Sequence, residues 1–144
     1  MLMKNIFKNG AISPQFIAES IEKHQSKIKI GAHQTFMGQI RQDEHEEQIV
    51  AAISYSAQEE MCNVLAEKLR EEMISKYDLS CIHIYHSIGR VNVGELCFFV
   101  FLSGRHRSNT FQAIEECVNR VKAELPIFGK EIYEDESHSW KVNT

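Results

Sequence analysis

Proline is scarce in this chain of 144 residues: there are two, Pro14 and Pro126. Long segments can therefore form regular structure, and each proline is expected to mark a boundary. Long hydrophobic runs are missing, and nothing approaches the roughly 20 apolar residues that span a bilayer. The opening Met-Leu-Met-Lys-Asn-Ile-Phe lacks the long apolar core and small-residue cleavage site of a secretory signal. The reading is a cytoplasmic protein without a membrane partner. Cysteines are few. Cys62, Cys81, Cys97 and Cys117 lie far apart with no Cys-x-x-Cys among them. Reduced thiols in apolar surroundings are expected, not a disulfide framework or a zinc knuckle. Basic charge is also short, with 16 Lys and Arg against 20 Asp and Glu and a net charge of −4. That argues against the broad basic face a nucleic acid demands. Gly-x-Gly-x-x-Gly and Walker loops are absent. A metal is disfavoured too. His83 and His86 differ by an odd number on a presumed strand, and His33 and His45 have no ligand neighbours at useful spacing. A Ser20-x-x-Lys23 match stands without its accompanying motifs and reads as chance. Neither a metal nor a cofactor is expected.

What is present suits one domain over residues 1–144, since 43% hydrophobic content leaves room for a core. Ser13-Pro14 reads as a helix cap and first turn, opening a helix to about Gln25. Strands are expected over 28–36, ending at Gly38, and over 49–56, with a polar, mobile acidic loop at 42–48 between them. Met61, Val64, Leu65, Leu69 and Met73 recur at helical spacing and predict a long amphipathic helix over 58–76. A short strand over 81–86 leads into a glycine-containing turn region at 87–94. The aromatic run 95–103 suits a central buried strand. Phe111, Ile114, Val118, Val121 and Leu125 define a third helix capped by Ser108 or Asn109, and 131–133 adds a last strand. The order αββαββα(β) lacks regular βαβ alternation. It reads as α+β with a mixed, mainly antiparallel sheet and three helices.

Local chemistry concentrates in the last third. Arg105, His106 and Arg107 follow the apolar run directly and precede a helix. Strand, basic turn and helix N-terminus together make an anion site, with a solvated basic turn as the plain alternative. Lys122 sits at the edge of the third helix's apolar stripe, where its stem can lie on apolar surface and its ammonium can face a cleft. The alternative is a snorkelling surface lysine. Lys130 follows a Pro-Ile-Phe-Gly bend that could fold it over the helix end; an exposed loop lysine is equally ordinary. Arg41 follows Gly38-Gln39-Ile40 and suits phosphate or carboxylate. Trp140, Phe98, Phe99 and Phe101 read as core or interface.

These pieces occur in a specific order. Gly31-Ala32 leads to Phe36-Met37-Gly38-Gln39-Ile40-Arg41, then Ile53-Ser54-Tyr55 and the helix with Met61. After them come His86-Ser87-Ile88-Gly89, Gly94-Glu95, the stretch 103–107, Phe111-x-Ala113, Lys122, Pro126-Ile127-Phe128 and a late Trp140. The ordered set resembles the large, catalytic subunit of molybdopterin synthase, the MoaE family. The resemblance implies an α/β-hammerhead-like fold and a homodimer, with a small ubiquitin-like sulfur-carrier subunit ending in Gly-Gly at each end of a heterotetramer. It implies a sulfurtransferase that moves sulfur from the carrier's C-terminal thiocarboxylate to cyclic pyranopterin monophosphate, forming the molybdopterin dithiolene. It assigns Lys122 and Lys130 to catalysis. It assigns Gln39, Ile40 and Arg41, with Gly129 and Glu131, to substrate binding. His106 and Arg107 join them, lent across the dimer. Three departures stand out. Gly129 occupies the place of a second active-site lysine, with Lys130 one position on and pointing oppositely on an extended segment. His-Ser-Ile-Gly replaces His-Arg-Ile-Gly, and no arginine follows Trp140. A non-catalytic anion-binding or carrier-docking module of the same fold is the alternative.

Overall fold

The computed structural model describes residues 4–142. Its elements are β1 (Phe7–Asn9), α1 (Pro14–His24), β2 (Ala32–Gln39), β3 (Glu44–His45), β4 (Gln48–Ala57) and α2 (Glu59–Tyr77). They continue with β5 (Leu79–Asn92), β6 (Leu96–Gly104), α3 (Arg107–Glu124), β7 (Ile127–Tyr133) and β8 (His138–Trp140). The sheet runs β2-β6-β5-β4-β7-β8, with β1 on β5 and β3 on β4. Among the described residues only β1 and β5 pair in parallel; the other ladders are antiparallel. The fold is α+β, with three helices on a mainly antiparallel sheet.

β6 sets the layers. Phe98, Val100 and Leu102 pack with α2 and α3, while Phe99 and Phe101 pack with Ile12 and with Ile17 of α1. Alternate side chains of one strand thus feed two cores, and so its sequence is apolar throughout. Fully burying Phe99 or Phe101 contributes roughly 1.5–3 kcal/mol each.

α1 starts as its cap dictates, and α2 and α3 pack on narrower stripes than the sequence suggests. Ser13 Oγ accepts from the Phe16 N–H at 3.1 Å, with Pro14 in the first turn. α2 buries Cys62, Ala66, Leu69 and Met73, leaving Met61 and Val64 about half exposed. Small Cys62 and Ala66 let the helix approach the sheet, which turns the larger neighbours outward. α3 likewise buries Thr110, Ala113, Cys117, Val118 and Val121, and Phe111 faces out. Its cap position is His106, without a side-chain cap bond, in place of the expected Ser108 or Asn109.

Three connections differ from expectation. Residues 87–92 are not a turn but the second half of β5, whose pairing passes from β6 to β4 across Gly89 at φ +85°. The acidic loop is a hairpin: Glu44 pairs Ile49 and His45 pairs Gln48, with Glu46 and Glu47 at φ 49° and 70°. The expected bend after Pro126 is the start of β7, where Gly129 pairs Tyr55 and Lys130 pairs Ser54. Gly129 is therefore an ordinary strand residue. Its hydrogen matters because a Cβ there would lie 3.2 Å from Ile53 and from the Tyr55 ring.

Candidate functional site

A cavity of about 290 Å³ opens where the end of β2, the middle of β4 and β7, and the last turn of α3 meet. Gln39, Ile40 and Arg41 form one wall. Ile40 is tied down by its N–H to the Glu95 carbonyl at 3.0 Å and by Gly94 N–H to its own carbonyl at 2.9 Å. Lys122 reaches the opposite wall from α3, one residue beyond buried Val121, and remains solvent-exposed. β7 presents Gly129 and Glu131 to the cavity but not Lys130, as strand alternation requires.

The floor is made of Tyr55, His86 and Cys97. Tyr55 O–H donates to Cys97 Sγ at 3.5 Å, and that thiol donates to the Gly38 carbonyl at 3.6 Å. Burial pushes both groups above their ordinary pKa, so they stay protonated. The His86 ring stands edge-on to Tyr55, with centroids 4.8 Å apart. Burial chiefly, and the Lys122 and Lys141 ammonium charges, depress its pKa to about 4. A neutral His86 supplies no charge at pH 7. Positive charge around the cavity comes instead from Lys122, Lys141 and Arg41. Arg41 is shared: its Nε and Nη2 donate to Asp43 Oδ1 and Oδ2 at 3.2 and 3.3 Å.

The structure thus gathers Lys122, Gln39, Ile40, Arg41, Gly129 and Glu131 around one cavity. His106 and Arg107 are not brought there. They are exposed at the N-terminus of α3, and 15 residues at 1.5 Å each put Arg107 about 22 Å from Lys122. The turn that carries them is pinned against β2. Gly31 N–H bonds the Gly104 carbonyl at 3.0 Å, and a Cβ on Gly31 would collide with the Arg105 carbonyl oxygen. Lys130 lies on the outer face of β7, opposite Trp140. It is corrected from a cavity residue to an outer-face one.

Sequence reasoning gave no role to His86 or Lys141. His86 was signalled by its place in an apolar strand, whereas Lys141 carries no local signal. Histidine neighbours were also missed, because spacing along the chain does not reveal pairing across the sheet. Asp43, His45 and Glu131 converge at the cavity edge, with His45 Nε2 3.4 Å from Glu131 Oε2. Far from it, Cys81 stands close to His24 and His83. Lys4 Nζ reaches His83 Nδ1 at 2.9 Å, His83 Nε2 meets His24 Nε2 at 3.0 Å, and His24 Nδ1 meets the Ser20 carbonyl at 2.7 Å. One tautomer of each ring satisfies this whole chain, donating from Lys4 to Ser20. Burial first, then Lys4, pushes His83 down to about 3. The cluster is a saturated polar network next to Lys4 and Arg70, a poor setting for a cation.

Fold and site together define an α+β protein with a cation-walled cavity between a helix end and a sheet. The chain belongs to the MoaE protein family, whose model matches residues 10–124. It is 33% identical over 113 residues to the molybdopterin synthase catalytic subunit of Bos taurus, covering 78% of this chain and 59% of that protein. The Bacillus subtilis (strain 168) protein of the same name is 32% identical over 117 residues, covering 81% and 74%. The chain therefore spans from about a third to about three quarters of the length of the relatives it matches. Among solved structures, molybdopterin synthase from Staphylococcus aureus superposes with TM-score 0.82 at 23% identity, covering 99% of this chain and 100% of that one. A protein–protein complex of subunits 1 and 2 of molybdopterin-converting factor from Helicobacter pylori 26695 gives 0.79 at 18%, covering 94% and 89%. Among the described residues no helix is long and apolar enough to cross a membrane.

Proposed function

We propose that this chain is the catalytic subunit of a molybdopterin synthase, a sulfurtransferase of molybdenum-cofactor biosynthesis. It takes sulfur from the C-terminal thiocarboxylate of a small carrier subunit and delivers it to cyclic pyranopterin monophosphate. The observation that carries the reading is the cavity with Lys122 on its wall, in a chain of the MoaE family. Both reactants are anions, and a cavity with ammonium and guanidinium groups around it lowers the cost of bringing them together. A tail ending in Gly-Gly has no side chains to exclude, so its backbone can thread a narrow cavity.

The chemistry needs little from the protein beyond charge and position. When thiocarboxylate sulfur bonds to a substrate carbon, a carbon–oxygen bond at that carbon breaks. The oxygen stays with the phosphate or leaves as water after addition to a carbonyl, and the carrier's acyl group remains on the sulfur as a thioester. Water then cleaves the acyl–sulfur bond, releasing the carrier as a carboxylate and leaving sulfur on the substrate, with no change of redox state. The tetrahedral oxyanion of that hydrolysis is the charge an ammonium stabilises best. Lys122 has the reach to do it. Gln39, Ile40 and Arg41 hold the substrate side, with Gly129 and Glu131 opposite. His106 and Arg107 bind substrate phosphate in the cavity of a second copy, which makes a homodimer and, with two carriers, a heterotetramer. The four buried free cysteines suit the cytoplasm.

One feature favours the rival, a docking module without turnover: Gly129 stands where the family resemblance places a second lysine. Incubating the purified chain with thiocarboxylated carrier and cyclic pyranopterin monophosphate decides between them. Dithiolene product is expected. Carrier binding without product would leave the docking module.

A further inference from the structure

The outer placement of Lys130 leaves the Gly129 side of the cavity without a cation from β7. β8 supplies one. Trp140 pairs Lys130, and the next residue continues the ladder: Lys141 N–H donates to the Gly129 carbonyl at 2.8 Å. Side chains alternate along an extended strand, so Lys141 points to the face opposite Trp140, the face shared by Gly129 and Glu131. Lys141 indeed lines the cavity with Lys122, whereas Lys130 does not. Cross-strand neighbours stand about 5 Å apart at Cβ, so a side chain missing at 129 leaves space that one from 141 can enter.

We propose that Lys141 is the second cation of the sulfur-transfer cavity, reaching from the strand beside Gly129 to hold the carrier's terminal thiocarboxylate opposite Lys122. Three observations converge on it. Arg41 is already engaged by Asp43. Lys122 and Lys141 line the same cavity as His86 and Cys97, and His86, its pKa depressed by burial, adds no charge of its own. Adding a side chain at 129 would crowd Ile53 and Tyr55 at 3.2 Å, so the cavity is shaped for glycine there. A lysine lent by a neighbouring strand solves the charge problem without crowding the floor.

The inference rests on the sulfurtransferase reading, and the experiment separates the two. Single-turnover dithiolene formation is measured with saturating thiocarboxylated carrier and cyclic pyranopterin monophosphate, for wild type and for Lys141→Met, Lys141→Arg and Lys130→Ala. Thermal unfolding confirms that each variant is folded. Lys141→Met keeps the apolar stem and removes the charge; a loss of about thirtyfold or more is expected. Lys141→Arg is expected within about tenfold of wild type and Lys130→Ala within about threefold. A Lys141→Met rate within threefold of wild type overturns the proposal, as does an equal or larger loss in Lys130→Ala. An inactive wild type would instead count against the sulfurtransferase reading.

Discussion

Lys122 carries the chemistry most directly open to test. It lies next to buried Val121 yet points into the cavity, so its removal should cost chemistry and not folding. Lys122→Ala is expected to lower dithiolene formation by at least about a hundredfold, the usual scale for a lost oxyanion contact, while the melting temperature stays within a few degrees. Reconstituted turnover and thermal unfolding on the same sample measure both. His86 and His83 make a different prediction. Their folded pKa values, about 4 and about 3, lie below the ordinary histidine value of 6.5. The unfolded chain therefore binds more protons across that window, and stability is complete above pH 6.5 and falls as pH drops toward 4. For His86 alone the loss approaches about 3 kcal/mol. Urea unfolding at pH 7 and pH 4.5 should show the fall, and His83→Gln should reduce its slope. A slope unchanged in that variant would mean that half-buried His83 is not held neutral.

Elements show how much could be read before folding. α1 was legible to within a residue because Ser13 and Pro14 announce its start. β6 was legible because an apolar run too short for a helix must be a buried strand. β5 was cut short because Gly89 and its neighbours look like a turn, and only pairing with β4 reveals a strand through a positive-φ glycine. β1 and β8 span three residues each, too few for periodicity to mark them; β1 exists through β5, far along the chain, and β8 through its hairpin with β7. The same blindness hid Lys141, whose position follows from the β7–β8 register. Lys122 and Arg41 were legible from their places at element ends, whereas Lys130 was misplaced because Pro126 suggested a bend where β7 begins. One element end also carries strain. Asp78 closes α2 in the left-handed region at φ 52°, with its N–H on the Ile74 carbonyl. A carboxylate at a helix C-terminus opposes the dipole, and a Cβ in this conformation costs about 1 kcal/mol. Asp78→Gly should raise the unfolding free energy by about that amount, seen as a higher urea midpoint with an unchanged m-value. A lower midpoint would show that the Asp78 side chain stabilises the turn.

At the scale of the whole molecule, the helix that joins the two basic regions also separates them. Lys122 at one end of α3 and Arg107 at the other are about 22 Å apart, too far for one small substrate to bridge. If both serve the same reaction, Arg107 must enter the cavity of a second copy. The isolated chain should then scatter light as a dimer, at twice 16.6 kDa, without any carrier. A monomer at micromolar concentration would end the shared-site picture. Complementation tests it more sharply. Lys122→Ala and Arg107→Ala should each be nearly inactive alone, yet a refolded equal mixture contains mixed dimers with one intact cavity. Half the dimers are mixed and each has one working site of two, so about a quarter of wild-type turnover should return. Recovery cannot occur if both residues act within one chain, because no subunit in the mixture carries both. The mixture would then stay as inactive as its parents, and the basic turn would be a solvated surface feature.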